Sequence, residues 1–198
     1  MLRHMWIQPV TLEGRFIRLE PLTPSHAPAL WAASNDQAIY RFKPYVMRSE
    51  DDMRRFIARA EKNLASGEGM GFATIDRASG APVGSSSYFA SDAQHRRVEI
   101  GGTWVIPARQ RTPINTEAKL LMLRHAFEVL GCLRVEFKTD KLNEKSRRAL
   151  ERVGAVEEGI FRNHMLMPDG RIRDSVYFSI IASEWPAVEA RLQRLLGT

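Results

Sequence analysis

The sequence predicts an α/β protein of the α+β kind, in which a mixed, mostly antiparallel central sheet is flanked by helices. Three observations predict it. Strand-like runs at Met70 to Asp76, Pro82 to Phe89 and Arg97 to Ile106 follow one another with short turns between them, the pattern of an antiparallel meander. The segments Asp51 to Leu64 and Asn115 to Leu130 instead repeat their apolar residues at helical spacing. Beyond Gly131 strands and helices alternate, which gives the order βααβββαβαββα and a mixed sheet.

Each element has a local reason. Arg15 to Glu20 (RFIRLE) alternates like a strand, and Thr23 or Ser25 is placed to cap a short helix through Trp31. The helix from Asp51 carries Met53, Phe56, Ile57, Ala60 and Leu64 on one face and closes at Gly67. Ala78-Ser79-Gly80 and Ser91-Asp92 supply the turns of the meander. The long helix from Asn115 stops at Gly131 and leads into a strand at Leu133 to Thr139. A shorter helix from Asn143 to Val153 stops at Gly154, ahead of strands at Val156 to Leu166 and Arg173 to Ile181. The tail from Ser183 to Leu196 reads as a helix capped by Ser183, with Pro186 tolerated in its first turn. No repeat, linker or low-complexity tract divides the chain, so residues 1–198 are expected to form one domain.

Composition excludes several function classes. Lys and Arg total 29 against 23 Asp and Glu, a formal charge of +6, yet the basic clusters sit among acids and make no nucleic-acid stripe. No nucleic-acid partner is expected. Cys132 is the single cysteine, so an internal disulfide is impossible, and its neighbours Gly131 and Leu133 make it a small core residue rather than a nucleophile. The start MLRHMWIQPV lacks a signal-peptide apolar run, and no stretch has the length of a membrane span. A cytoplasmic protein without a membrane partner is expected. The histidines, cysteine and acids show no metal-ligand spacing, and neither a nucleophile elbow nor a Walker loop is present.

The segment Trp104 to Gly131 (WVIPARQRTPINTEAKLLMLRHAFEVLG) runs from a strand through a polar loop directly into a long helix. Free amides and the dipole at such a helix start suit a phosphate, and Arg109 and Arg111 add charge. A core helix merely capped by Asn115 or Thr116 fits the same spacing. The segment resembles the acetyl-CoA loop of the GNAT superfamily, especially its RimJ/RimL-like branch. The likeness extends from Leu12-Glu13-Gly14-Arg15 to Arg173-Asp174-Ser175 and Glu184-Trp185-Pro186. Against the family's Gln/Arg-x-x-Gly-x-Gly/Ala loop, Gln110 matches, whereas Pro113 and Asn115 depart from it. The resemblance implies that Trp104, Val105, Ile106, Arg109, Gln110, Arg111, Thr112, Ile114, Asn115 and Thr116 line the cofactor. Pro113 lacks an N–H, so the Thr112 hydroxyl, the Asn115 amide and the arginines are expected to compensate.

The stretch Thr139 to Ala155 (TDKLNEKSRRALERVGA) resembles the family's Asn-x-x-Ser/Ala segment, which implies that Asn143 contacts the pantetheine arm. A helix cap explains Asn143 equally. Asn143, Ser146 and Leu150 share one face. Leu150 stands where many relatives carry a tyrosine acid, leaving Ser146 as a weaker donor. Strand alternation puts Glu99, Gly101, Thr103 and Val105 on one face, with Ile100, Gly102 and Trp104 on the other. Glu99 is the candidate general base; the competing reading is a surface carboxylate paired with Arg96 or Arg97. His125 falls on the apolar stripe of the long helix and reads as a hydrogen-bonded core residue. His164, near Pro168-Asp169-Gly170, reads as solvent-exposed without a role, and Arg173-Asp174 as an ion pair anchoring that turn.

The resemblance implies an acetyl-CoA-dependent N-acetyltransferase in which the strands at Glu99 and Leu133 splay around the pantetheine arm. A primary amine, on a small molecule or a protein N-terminus, would attack the thioester directly. A non-catalytic CoA-binding module is the alternative, with a nucleic-acid-binding domain behind it. Proteins of this kind are often homodimers.

Overall fold

A computed structural model describes residues 6–197. Its eight strands form one sheet in the order β1-β2-β3-β4-β5-β6-β8-β7. A two-residue β1 (Leu12–Glu13) pairs antiparallel with β2 (Ile17–Pro21). β1 is absent from the sequence-based order because two residues carry no readable periodicity. It is fixed instead by a distant carboxylate. Glu117 accepts the amide protons of Arg15, Phe16 and Ile17 at 2.8, 2.7 and 2.8 Å. A Cβ on Gly14 would lie 2.5 Å from that carboxylate, so glycine is required there.

A 3-10 turn at Pro24–His26 precedes α1 (Ala27–Ala33), and α2 (Glu50–Ser66) follows. The Ser49 hydroxyl caps α2 through the Asp52 amide, and Gly67 ends it in the left-handed conformation. The meander forms as predicted from β3 (Met70–Asp76), β4 (Pro82–Asp92) and β5 (Arg97–Val105). α3 spans Pro113–Arg124 and continues as one π-helical turn at His125–Val129, closed by the Leu130 amide on the His125 carbonyl at 3.0 Å. The expected continuous α-helix therefore widens at its end. β6 (Arg134–Asp140), α4 (Glu144–Val153), β7 (Val156–Leu166), β8 (Ile172–Ile181) and α5 (Trp185–Leu196) complete the chain. Glu184 occupies the cap position of α5 in place of the predicted Ser183, and its carboxylate accepts from the Ile181 amide at 3.0 Å.

Helices cover both faces of the sheet, but unequally. One face packs Val98, Ile100, Val135, Phe137, Val176 and Phe178 against α3, α4 and α5. The other buries Ala73, Ile75 and Trp104 beneath α1 and α2, and this cluster does not extend to β6, β7 or β8. Burial of these aliphatic and aromatic side chains, each stabilising by about 1.5–3 kcal/mol, holds the layers together. Among the described residues, no helix is long and apolar enough to cross a membrane.

Candidate active site

β5 and β6 are parallel neighbours for only three rungs, Arg97↔Arg134, Val98↔Val135 and Glu99↔Glu136. β5 then runs on to Val105 and β6 to Asp140 without pairing with each other, although β5 stays paired with β4 and β6 with β8. Their carbonyl ends open into a cleft. Each strand feeds a helix on the same face, β5 into α3 and β6 into α4, so two helix N-termini flank the mouth. Gln110 joins them: its Nε2 donates to the Val105 carbonyl at 2.8 Å, and its Oε1 accepts from Lys145 on α4.

The loop between β5 and α3 contains a 3-10 turn at Pro107–Arg109. Arg109 pairs with the buried Asp76 at 2.9 Å, which ties the loop to β3. Arg111 is exposed, takes φ +61°, and forms no ion pair among the described residues. α3 begins at Pro113 rather than Asn115, with Thr112 as its cap. Proline at the first helical position loses nothing that the helix would use, because that amide has no intrahelical acceptor. The Ile114 amide meets Thr112 Oγ1 at 3.5 Å, and the Asn115 amide is also a first-turn donor. Asn115 Oδ1 is buried with no hydrogen-bond partner among the described residues. Thr116 Oγ1 accepts from Arg152 on α4 at 3.3 Å. Trp104 and Val105 are buried and Ile106 half-buried behind the loop.

The predicted face assignment in β5 needs correction. A bulge at Gly102 (φ +65°) shifts the register between Ser85 and Ser87, because three β5 steps answer two on β4. Thr103 and Val105 thereby join the α3 face, and Trp104 the face of Glu99. Glu99 itself is 5% exposed. Its partner is Lys138 on β6, at 2.9 Å, and neither Arg96 nor Arg97. Arg96 donates to the Gly131 carbonyl, while Arg97 binds Asp92 and Glu136. Glu99 thus stands on the last rung before the cleft.

Thr103 is gripped from both faces. Lys119 of α3 donates to Thr103 Oγ1 at 2.6 Å and to Ser86 Oγ at 3.3 Å. Lys43, on the segment before α2, donates to the Thr103 carbonyl at 2.7 Å. Among the described residues no carboxylate lies within ion-pair distance of either lysine. Burial, aided by the Lys43 charge, pushes Lys119 down to about 7; burial and the Arg173 charge push Lys43 down to about 8.

On β7 and β8, His164 Nδ1 lies 2.9 Å from Ser175 Oγ and its Nε2 3.4 Å from the Tyr177 hydroxyl. His164 is half-buried, not solvent-exposed as expected, and burial together with Lys138 and Arg173 lowers its pKa. Arg173 is 5% exposed and binds Ser175 Oγ at 2.9 Å and the Phe42 carbonyl at 3.5 Å. Asp174 instead accepts from the Asn163 amide and pairs with Lys141, so the expected Arg173–Asp174 ion pair does not form. Consecutive strand residues point to opposite faces.

Asn143 caps α4, its Oδ1 accepting from the Ser146 amide at 3.1 Å. Ser146 is half-buried and Leu150 buried. His125 stacks on Tyr88 in the π-turn, with its pKa lowered by burial. Cys132 is buried and its thiol is pushed up to about 12, which rules out a thiolate nucleophile near neutral pH. The sequence reading passed over Lys43, Lys119 and Lys138. Lys119 was detectable, since it lies one helical turn from Asn115 on the line of the fully buried Met122 and Ala126. Lys43 and Lys138 acquire their setting only from strand neighbours distant in the chain.

The family described as Acetyltransferase (GNAT) domain matches residues 17–156. A protein of Bacillus subtilis (strain 168) named as a ribosomal N-acetyltransferase, YdaF, is 35% identical over 106 residues, 54% of this chain and 57% of that protein. The match thus spans somewhat over half that relative's length. A GCN5-related N-acetyltransferase from Brucella melitensis is 35% identical, with a TM-score of 0.88 over 95% of this chain and 86% of that one. Mycobacterium smegmatis RimJ in complex with CoA-disulfide shares the fold, with a TM-score of 0.82 at 23% identity over 96% and 95% of the two chains.

Proposed function

Because the chain belongs to the GNAT acetyltransferase family and is an acyltransferase by that membership, we propose that it moves the acetyl group of acetyl-CoA to a primary amine. The observation that carries this reading is the β5–β6 ladder, which ends at Glu99↔Glu136 while both strands continue. Such an opening exposes main-chain donors and acceptors of both strands to an extended ligand. The amide-bearing pantetheine arm of acetyl-CoA suits it. At the mouth, the first-turn amides of α3 at Ile114 and Asn115, with Arg111, face the pyrophosphate. The orphaned Asn115 carboxamide fits this role, since a flip presents its Nδ2 to an acceptor. Gln110 and Arg109 hold the loop in place. Trp104, Val105 and Ile106 form the wall below it. Thr112 and Thr116, engaged with Arg109 and Arg152, shape the helix start, and Asn143 and Ser146 border the α4 side.

The acceptor amine, on a small molecule or a protein N-terminus, attacks the thioester carbonyl from the face that carries Glu99. The C–N bond forms as the C–S bond breaks, and the amine proton passes to Glu99 directly or through one water. Leu150 supplies no acid, so the departing thiolate, of ordinary pKa ~8.5, takes a proton from solvent or Ser146. The relative's ribosomal name favours a protein N-terminus as one acceptor class, within the RimJ/RimL-like branch. Residues 1–198 are taken as one such domain.

The test combines binding and turnover. Saturating CoA should raise the melting temperature by preferential binding to the native state, and acetyl-CoA with a panel of amines should release free thiol. Stabilisation without thiol release would identify a CoA-binding module. No stabilisation at millimolar CoA would overturn the reading entirely.

A further inference from the structure

Towards the mouth of the cleft, the face of the sheet that carries Glu99 gathers Lys43, Lys138, Arg171 and Arg173 around Glu99 and Asp140. Lys43 contacts the Thr103 carbonyl on β5, the cleft wall beyond the bulge. On the opposite wall, β8 pairs with β6 up to Ser175↔Asp140, and Arg173 lies two residues further towards the mouth. The Phe42–Lys43 segment spans the two, because Arg173 donates to the Phe42 carbonyl while Lys43 reaches Thr103. Burial and the Arg173 charge lower the pKa of Lys43, while Arg173 is itself lowered by burial and by Arg171 and is raised by Asp140 and Glu99. Neither Lys43 nor Arg173 has a carboxylate within ion-pair distance among the described residues. Asp140 and Glu99 reach Arg173 only beyond ion-pair distance, and each is paired directly with another cation. Glu99 pairs with Lys138, and Asp140 with Arg171 at 2.5 Å. These four cations and two carboxylates leave an excess of two positive charges.

Burying cations without counter-ions costs free energy unless a ligand supplies the charge. Structural lysines and arginines normally find an acid of their own chain; here the partners are neutral oxygens, Thr103 O, Phe42 O and Ser175 Oγ. Resting on the acetyl-transfer reading above, we propose that Lys43 and Arg173 form a subsite for a carboxylate of the acceptor. Favoured acceptors then carry an acid close to the reacting amine, either the α-carboxylate of a free amino acid or an acidic side chain near a peptide N-terminus. Polyamines are disfavoured, because each added ammonium meets the same excess of positive charge.

The experiment compares paired acceptors that differ only in charge. Amino acids are set against their amides, and Xaa-Glu peptides against Xaa-Gln peptides, with acetyl-CoA saturating. In the wild-type protein the acid of at least one pair should exceed its neutral counterpart by about tenfold or more in kcat/KM, with most of the difference in KM. The pair that responds identifies the source of the carboxylate. Lys43→Gln and Arg173→Gln should each bring the ratio to within about threefold of one, while Arg173→Lys keeps the charge and most of the preference. The CoA-induced rise in melting temperature should be the same in all of them. Equal kcat/KM for acid and amide in the wild type, or ratios unchanged in both Gln variants, overturns the subsite. If no amine is acetylated, the acetyl-transfer reading fails by itself. Calorimetric titration of the CoA complex with N-acetyl amino acids and their amides then decides the subsite: tighter binding of the acids supports it, and equal affinity overturns it.

Discussion

Lys119 and Lys43 meet Thr103 from opposite faces of the sheet, and their surroundings differ as the two faces do. Lys119 is 5% exposed beneath α3, where Ser86 and Thr103 are its only polar partners among the described residues. Lys43 is half-buried beside a cleft whose far wall, β6 to β8, has no helix over this face. A cation on the sealed face is a cost to stability; one on the open face can be answered by a ligand. The difference follows from strand pairing. Where the β4–β5 ladder is long the sheet is closed, and where β5–β6 stops at its third rung it opens.

The largest test of this contrast is Glu99→Gln on the open face. The carboxamide oxygen still accepts from Lys138 but takes no proton near neutral pH. Turnover should fall by about 10²–10⁴-fold with CoA affinity spared, and the variant should recover part of its activity as pH approaches the acceptor amine's pKa. Matching pH profiles, with turnover within about twofold, would make Glu99 only the anchor of Lys138.

A smaller effect separates the two loop arginines, which the sequence offered as equals. Arg111→Ala should weaken CoA by about tenfold and leave the melting temperature of the free protein unchanged, because the side chain pairs with no described residue. Arg109→Ala should instead destabilise the free protein by roughly 1 kcal/mol, since it removes the cation paired with the buried Asp76 and leaves that carboxylate only the Ala78 amide and the Ser79 hydroxyl. Titration calorimetry and thermal melts on both variants check this. Equal CoA losses with equal melts would erase the distinction.

Much of this contrast was legible in the sequence as local pattern. Gly67 at the end of one helix, and Asn143 with Gly154 at the two ends of another, act by cap chemistry that reaches over a few residues, whereas the Ser49 cap was not read and α2 begins one residue before the expected Asp51. The strand–loop–helix run after Trp104 and the carboxylate at Glu99 were visible for the same reason. What was not legible depends on register. A glycine inside a strand signals a bulge, but Gly101-Gly102 does not say which residue is extra, so the faces of Thr103 and Trp104 were exchanged. Glu99 had basic neighbours in sequence, whereas its partner Lys138 arrives through the parallel pairing of Glu99 with Glu136. β1 depends on Glu117, 100 or more residues away.

On the sealed face, Lys119→Met should stabilise the protein, by an amount that depends on pH. Burial lowers the folded-state pKa to about 7 from the ordinary 10.5. Between these values the unfolded chain binds more protons than the native one, so wild-type stability rises with pH through that window. Below about pH 7 the folded protein carries the buried charge and the penalty is at its full size. Methionine removes the penalty and keeps most of the volume. Its cost is the loss of two hydrogen bonds, softened because Ser86 Oγ and Thr103 Oγ1 already bond each other at 2.7 Å. The net gain at pH 6 should be about 1 kcal/mol, or roughly 2–4 °C in melting temperature, shrinking as pH climbs towards 10. Thermal melts of both proteins across that range measure it directly. A variant less stable than wild type at pH 6, or a difference that grows with pH, would mean that the charge on Lys119 is already neutralised in the free protein and that the two faces do not differ as described.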